Sequence, residues 1–200
     1  GLTIAIQEND YFKLVMDTAK KAIYEFMSGR PLTGLICEIE QPDVLLWAIW
    51  ALQQYAHEMG NAIAYQEYGT FLEDMLRFIE SGKHPNLELK ENGLLHIEGR
   101  DEPMTWMNST VNGKPVVPRT GYVVEINALW YNALKFIAEM AISNGKPEKA
   151  AELDARADIA KESFQRIFVN PNGYLFDYVE DGITDWSVRP NMIFPVAFDY

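Results

Sequence analysis

Cysteine is almost missing from this chain: Cys37 stands alone. A disulfide framework and a thiolate metal site each need more than one, so both are excluded, and a single thiol agrees with a reducing, cytoplasmic setting. Histidine is nearly as scarce. His57, His84 and His96 lack the close spacing of zinc ligands and read as ordinary core or surface residues. Positive charge is in deficit, with 17 Lys and Arg against 29 Asp and Glu and a formal net charge of −12. That balance repels phosphates, so it argues against nucleic acid and against an anionic membrane surface, while a neutral polysaccharide is indifferent to it. No run is long and apolar enough to cross a bilayer, and there is no signal peptide, internal repeat or low-complexity segment.

What is present describes a soluble globular domain. Two hundred residues, 48% of them hydrophobic, are enough for one domain with a real core. The chain begins at Gly1 rather than Met, and its last helical pattern stops as it begins. Residues 1–200 are therefore expected to form a single but partial domain of something longer.

Helical periodicity dominates. Phe12, Val15, Met16, Ala19, Ile23 and Phe26 recur at helical spacing over Tyr11–Met27, closed by Ser28-Gly29. Leu32–Gln41 reads as an irregular connection. Pro42-Asp43 opens an apolar run that Gly60 stops, and another helix covers Asn61–Ser81 before Gly82. Two alternating runs around Glu91-Asn92-Gly93 predict a hairpin over Leu87–Ile97. A loop from Gly99 to Gly121 precedes a helix over Val123–Ser143, capped by Asn144-Gly145, and Pro147 opens a helix to Phe168. The rest reads as a short strand over Tyr174–Tyr178, a loop over Asp181–Arg189, and the start of a helix over Asn191–Tyr200. The fold class is all-α with a small β-hairpin insertion. Two architectures fit: a helical bundle, or part of a ring of helical hairpins, an α/α toroid. Long polar and aromatic loops between the helices favour the ring.

The densest chemistry lies between Asp101 and Asn132. A loop carries Asp101, Trp106 and Asn108, a Gly/Pro-punctuated connection carries Arg119, and the first turns of a helix carry Glu125, Asn127, Trp130, Tyr131 and Asn132. Ring faces stack on the C–H side of a pyranose while carboxylates and amides take its hydroxyls, so this mixture suits a sugar. Each residue also has a plainer reading. Trp106 is a stacking platform or a loop residue plugging the core, and Arg119 is a hydroxyl clamp or a surface ion pair. Glu125 is a pocket carboxylate or a first-turn glutamate favoured by the helix dipole. Glu125 and Asn132 share a helix face with small Ala128 between them, which leaves room for a ligand. The opposite stripe of Val123, Ile126, Trp130, Ala133, Leu134 and Ile137 is core. Asp43 caps its helix, contacts ligand, or does both. Trp47, Trp50, Met16, Met75 and Met140 read as core.

Several of these segments occur together in one known family. Thr105-Trp106-Met107-Asn108, then Pro118-Arg119-Thr120-Gly121, then Val124–Leu134 (VEINALWYNAL) resemble the glucosidase half of glycogen debranching enzymes. Gly173–Asp177 (GYLFD) and the Asp185–Asn191 segment ending in RPN resemble it too, and Leu45–Leu52 preceded by Asp43 does so more loosely. Residues 1–40 carry no such resemblance.

The resemblance implies an (α/α)6 toroid and inverting hydrolysis of α-1,6-linked glucose at the branch points of glycogen. Such chemistry uses an acid and a base roughly 6.5–9.5 Å apart, with no metal or organic cofactor. It implies an α-glucan partner, met by Asp43, Asp101, Trp106, Arg119, Glu125, Asn127, Trp130, Tyr131, Asp185, Arg189 and Asn191. Asp185 and Arg189 are also expected to pair and brace the RPN loop, and Asn191 to cap the last helix.

Two departures stand out. Asn108 occupies the position of the family's proton-donating aspartate, and an amide cannot deliver a proton as a carboxylic acid does. The family's base is expected beyond Tyr200. Three outcomes stay open: a piece of an enzyme, an enzyme using another acid such as Asp101 or Glu102, or a non-catalytic α-glucan-binding or regulatory domain.

Overall fold

The computed structural model describes residues 9–30 and 39–200. Most of the connection expected over Leu32–Gln41, including Cys37, lies outside the described residues. The helices are α1 (Asn9–Met27), α2 (Pro42–Met59), α3 (Asn61–Glu80), α4 (Val124–Ser143), α5 (Pro147–Phe168) and the single turn α6 (Phe194–Ala197). The expected long helices thus form within a residue or two of their anticipated ends.

The core is built from the faces that periodicity selects. Helices α2, α3 and α4 pack on one another and α5 lies along α4. Leu45, Ile49 and Leu52 of α2, Phe71 and Met75 of α3, and Ile126, Trp130 and Phe136 of α4 are all buried. Met16 and Met140 join them. Helix α1 docks through Phe12, whose ring stacks on Tyr55 at 4.6 Å, and through Tyr24, whose hydroxyl donates to Asp74 at 2.7 Å. Val15 departs from the expected stripe: it is 59% exposed, because Phe12, Met16 and Ile23 already define the buried arc.

Three small antiparallel sheets surround the start of α4, where a single hairpin was expected. Strands β1 (Leu87–Leu89) and β2 (Leu95–Ile97) form the anticipated hairpin, with Leu87 opposite Ile97. The loop before α4 contains a second hairpin, β3 (Thr110–Val111) with β4 (Lys114–Pro115), turning at Asn112 and Gly113. Both turn residues have positive φ (53° and 77°), the conformation that an Asn-Gly pair favours.

The third sheet joins β5 (Tyr122–Val123), β6 (Tyr178–Glu180) and β7 (Ile183–Thr184). It corrects two expectations. The strand begins at Tyr178 rather than Tyr174, and the loop over Asp181–Arg189 includes β7. The Asp181-Gly182 turn (φ 42° and 83°) folds β7 back onto β6. The last segment also differs. Pro190–Ile193 is a 3-10 turn and α6 ends at Ala197, so the helix expected over Asn191–Tyr200 is brief.

Backbone pairing between Ile97 and Gly121, at 2.8 and 2.9 Å in the two directions, stitches the first sheet to the third. Gly121 has φ +82°, and a Cβ there would collide with the carbonyl oxygen of Val179. A side chain here would push the start of β5 away from β6, so this position calls for glycine.

Candidate functional site

Helix α4 begins without a side-chain cap at Val123. Its first amide instead donates to the carbonyl of Asp177 at 3.0 Å, which satisfies one of the N–H groups a helix start leaves open. The same Asp177 anchors a buried charge cluster. Its carboxylate accepts from Arg119 Nε at 2.8 Å and Nη2 at 3.1 Å, from Arg189 Nη1 at 2.9 Å and from Asn191 Nδ2 at 2.7 Å. Arg119 also grips both oxygens of Glu125. Arg119, Glu125, Asp177 and Asn191 are essentially without solvent contact. Each of these buried charges meets at least one opposite charge, the condition under which charges survive burial. Burial works against the Arg119 charge, yet its two carboxylate partners hold its pKa above the usual arginine value.

The cluster reaches the loop before α4. Arg119 Nη1 donates to the Thr105 hydroxyl at 3.3 Å. The Trp106 amide donates to Asp43 Oδ2 at 2.9 Å, and Asn191 Nδ2 points at the Met107 sulfur at 3.1 Å. Three consecutive loop residues are therefore held by three buried side chains from three separate parts of the chain. Asn191 Oδ1 accepts no hydrogen bond among the described residues. Trp106 itself projects outward, 47% exposed, with only its edge against Phe194. Asp101 and Asn108 are exposed on the same loop.

Asp43 sits in the first turn of α2 but is not its cap. The N-cap is Gln41, which makes no side-chain cap bond. The Asp43 carboxyl is pushed up to about 6: burial raises it, the Trp106 amide pulls it back, and the nearby charge of Glu125 adds to the rise. Asp185 behaves in the opposite way. Hydrogen bonds from Ser187 and the Arg189 pair at 3.0 Å outweigh partial burial and lower its pKa. The Asp185–Arg189 pair thus braces the RPN loop, while Asn191 binds Asp177 instead of capping a helix.

Other candidates go elsewhere. Asn127 is buried against the first hairpin: it accepts the Leu95 amide at 2.7 Å and donates to the carbonyls of Leu95 (3.0 Å) and Val123 (3.1 Å). Trp130 is buried too, its indole donating to the Gly93 carbonyl at 3.0 Å. Asn132 pairs with Gln53 inside the core. These residues lock α4 to its neighbours and present no polar group to a ligand. Tyr131 is half-buried beside a cavity lined by α4, α5 and the C-terminal segment. Trp47 is partly buried and touches both Phe194 and Phe198. His84 is an interior histidine whose pKa burial lowers to about 4.

Asp177 is the residue the sequence reading overlooked. Its signal was present, as the last residue of GYLFD, but nothing in the spacing showed that a residue 58 positions after Arg119 would become its partner.

Comparison with known proteins agrees with this architecture. The model of a family described as amylo-alpha-1,6-glucosidase matches residues 17–200. Among curated proteins, none matches the chain. Among solved structures, the fold resembles a GH78 family rhamnosidase of Bacillus sp. GL1, with a TM-score of 0.54 and 20% identity over 72% of this chain. The chain covers only 14% of that protein's length.

Proposed function

This chain belongs to the amylo-alpha-1,6-glucosidase family, and from that premise we propose that it is part of a debranching-type glycoside hydrolase whose Trp106 loop binds α-glucan. Its helices then belong to an (α/α)6 ring, and the family reaction is inverting hydrolysis of α-1,6 linkages in glycogen or a related glucan. The observation that carries the reading is the grip on Thr105, Trp106 and Met107 by Arg119, Asp43 and Asn191. With the Trp106 amide tied to Asp43 and the Thr105 and Met107 side chains held on either side, the loop presents a half-exposed indole in one orientation. A rigid aromatic platform of that kind stacks on a sugar at little entropic cost.

Around it stand polar groups suited to hydroxyls. Asn108 and Asp101 lie exposed on the loop. Arg119, Glu125, Asp177, Asp185 and Arg189 act through the loops they position. Asp43 is the described carboxyl group whose pKa is raised, and it hydrogen-bonds the backbone of Trp106. Burial holds the Asp43 proton to higher pH than an ordinary aspartate would, the direction a general acid needs.

The decisive measurement is isothermal titration of maltooligosaccharide and isomaltose, together with glucose release from an α-1,6-branched glucan followed by anomer-resolved NMR. Binding with release of inverted glucose supports the full reading. Binding without turnover, with turnover gained by Asn108→Asp, identifies a glucan-binding domain that has lost its acid. Absence of any binding overturns both.

A further inference from the structure

Four asparagines are followed directly by glycine: Asn92, Asn112, Asn144 and Asn172. Glycine carries no side chain, so its backbone nitrogen can close on Cγ of the preceding asparagine with little hindrance. Each pair is therefore chemically able to lose its side-chain amide. The fold separates the four, because the attacking nitrogen must be free to shed its proton and turn toward Cγ.

Three of these nitrogens are engaged. The Gly93 amide donates to the Lys90 carbonyl at 2.9 Å, the Gly145 amide to the Ile142 carbonyl at 3.0 Å, and the Gly173 amide to the Asn170 carbonyl at 3.0 Å. Two of the side chains are tied as well. Asn92 donates to the Tyr122 hydroxyl at 3.2 Å and accepts the Leu94 amide at 3.1 Å, and Asn144 donates to the Met140 carbonyl at 2.7 Å. At the remaining pair, neither the Gly113 amide nor the Asn112 side chain makes a hydrogen bond among the described residues. Val111, Asn112, Gly113 and Lys114 are all exposed, and the space that a Gly113 Cβ would occupy is empty. This tip belongs to the β3–β4 hairpin in the loop before α4, not to the flank of a helix.

We infer that Asn112 is a site of spontaneous deamidation, the one of the four that the folded protein modifies first. The Gly113 nitrogen gives its proton to solvent and bonds to Asn112 Cγ. The Cγ–Nδ2 bond breaks, and the side-chain nitrogen takes a proton from solvent and leaves as ammonia, which closes a cyclic imide. Water then opens the imide. Attack at Cγ leaves aspartate, and attack at the Asn112 main-chain carbonyl leaves isoaspartate, with the chain running on through Cγ. One water enters and one ammonia departs, with no oxidation or reduction. Either product adds a negative charge at the hairpin tip. Aspartate is at home in a tight turn of positive φ. Isoaspartate lengthens the main chain of the turn by one carbon and works against the pairing of Val111 with Lys114. The inference is independent of the reading of Trp106 as a sugar platform.

The test is incubation of the intact protein at mildly alkaline pH, once folded and once in urea, with peptide mapping by mass spectrometry over time. Each of the four peptides is scored for the mass gain of an amide that becomes an acid. In the folded protein the Asn112 peptide is expected to convert about tenfold faster than any of the other three, the factor carried by one or two hydrogen bonds that need not break first. In urea the four rates should draw together, because the Asn-Gly step is common to all. Conversion at Asn112 no faster than at another pair in the folded protein overturns the inference, and so does a lead that persists undiminished in urea. As a second measurement, the folded protein should accumulate an acidic species on ion exchange that Asn112→Gln largely abolishes. Persistence of that species in the variant overturns the assignment to Asn112.

Discussion

Arg119 and Asp177 meet through two nitrogens of one guanidinium, at 2.8 and 3.1 Å, in a part of the protein that solvent does not reach. Neither is tolerable there alone. Asp177→Asn leaves Arg119 and Arg189 sharing Glu125 and Asp185, and it is expected to cost about 3–5 kcal/mol, the usual penalty for breaking a buried ion pair from one side. Arg119→Lys should cost a similar amount, because an ammonium cannot meet two carboxylates with a planar fork. Urea denaturation of both variants checks this.

Asp43 gives the protein a pH signature. Its folded pKa, about 6, lies above the ordinary value of 3.8, so the native state holds this proton more tightly than the unfolded chain does. The group's favourable contribution is complete below pH ~4 and disappears as pH rises through about 6. Over that window the linkage amounts to roughly 3 kcal/mol at most. Asp43→Asn, whose amide oxygen can still accept the Trp106 N–H, should remove that slope and be the more stable protein at pH 7. Denaturation curves for both proteins at pH 4, 5, 6 and 7 measure it.

Trp106→Ala separates binding from folding. The side chain is half exposed and meets one ring edge, so its loss is expected to change stability by no more than about 0.5–1 kcal/mol. Sugar affinity should fall by about tenfold, the order expected for losing an aromatic contact. Titration and thermal melting on the same preparation compare the two effects.

Asn127→Ala should do the reverse. It strands the Leu95 amide and two carbonyls in the interior, at about 1–3 kcal/mol. Maltooligosaccharide affinity, measured below the melting transition, should not change.

The helices were legible because their faces are. Phe12, Leu45, Ile49, Phe71 and Met75 recur at helical spacing and are buried, and Gly60, Gly82 and Gly145 punctuate where the chain turns. The first hairpin was legible through Asn92-Gly93. The second, at Asn112-Gly113, carries an equally local signal and was simply read as loop. The charge cluster was half legible. Arg119 and Glu125 stand out in the sequence, but their shared role depends on Asp177, which the third sheet brings in from far along the chain. Periodicity also cannot separate an amide that faces a ligand from one that faces a strand edge. Asn127 and Asn191 look alike in sequence, and only the placement of the first hairpin and the RPN loop distinguishes them.

The three-point grip on the Trp106 loop carries a temporal consequence. Its handles are at positions 43, 119 and 191, so a polypeptide emerging from the ribosome cannot set that loop until residue 191 has been made and folded back. A product terminated before residue 191 should therefore leave Thr105, Trp106 and Met107 incompletely held even where its early helices have formed.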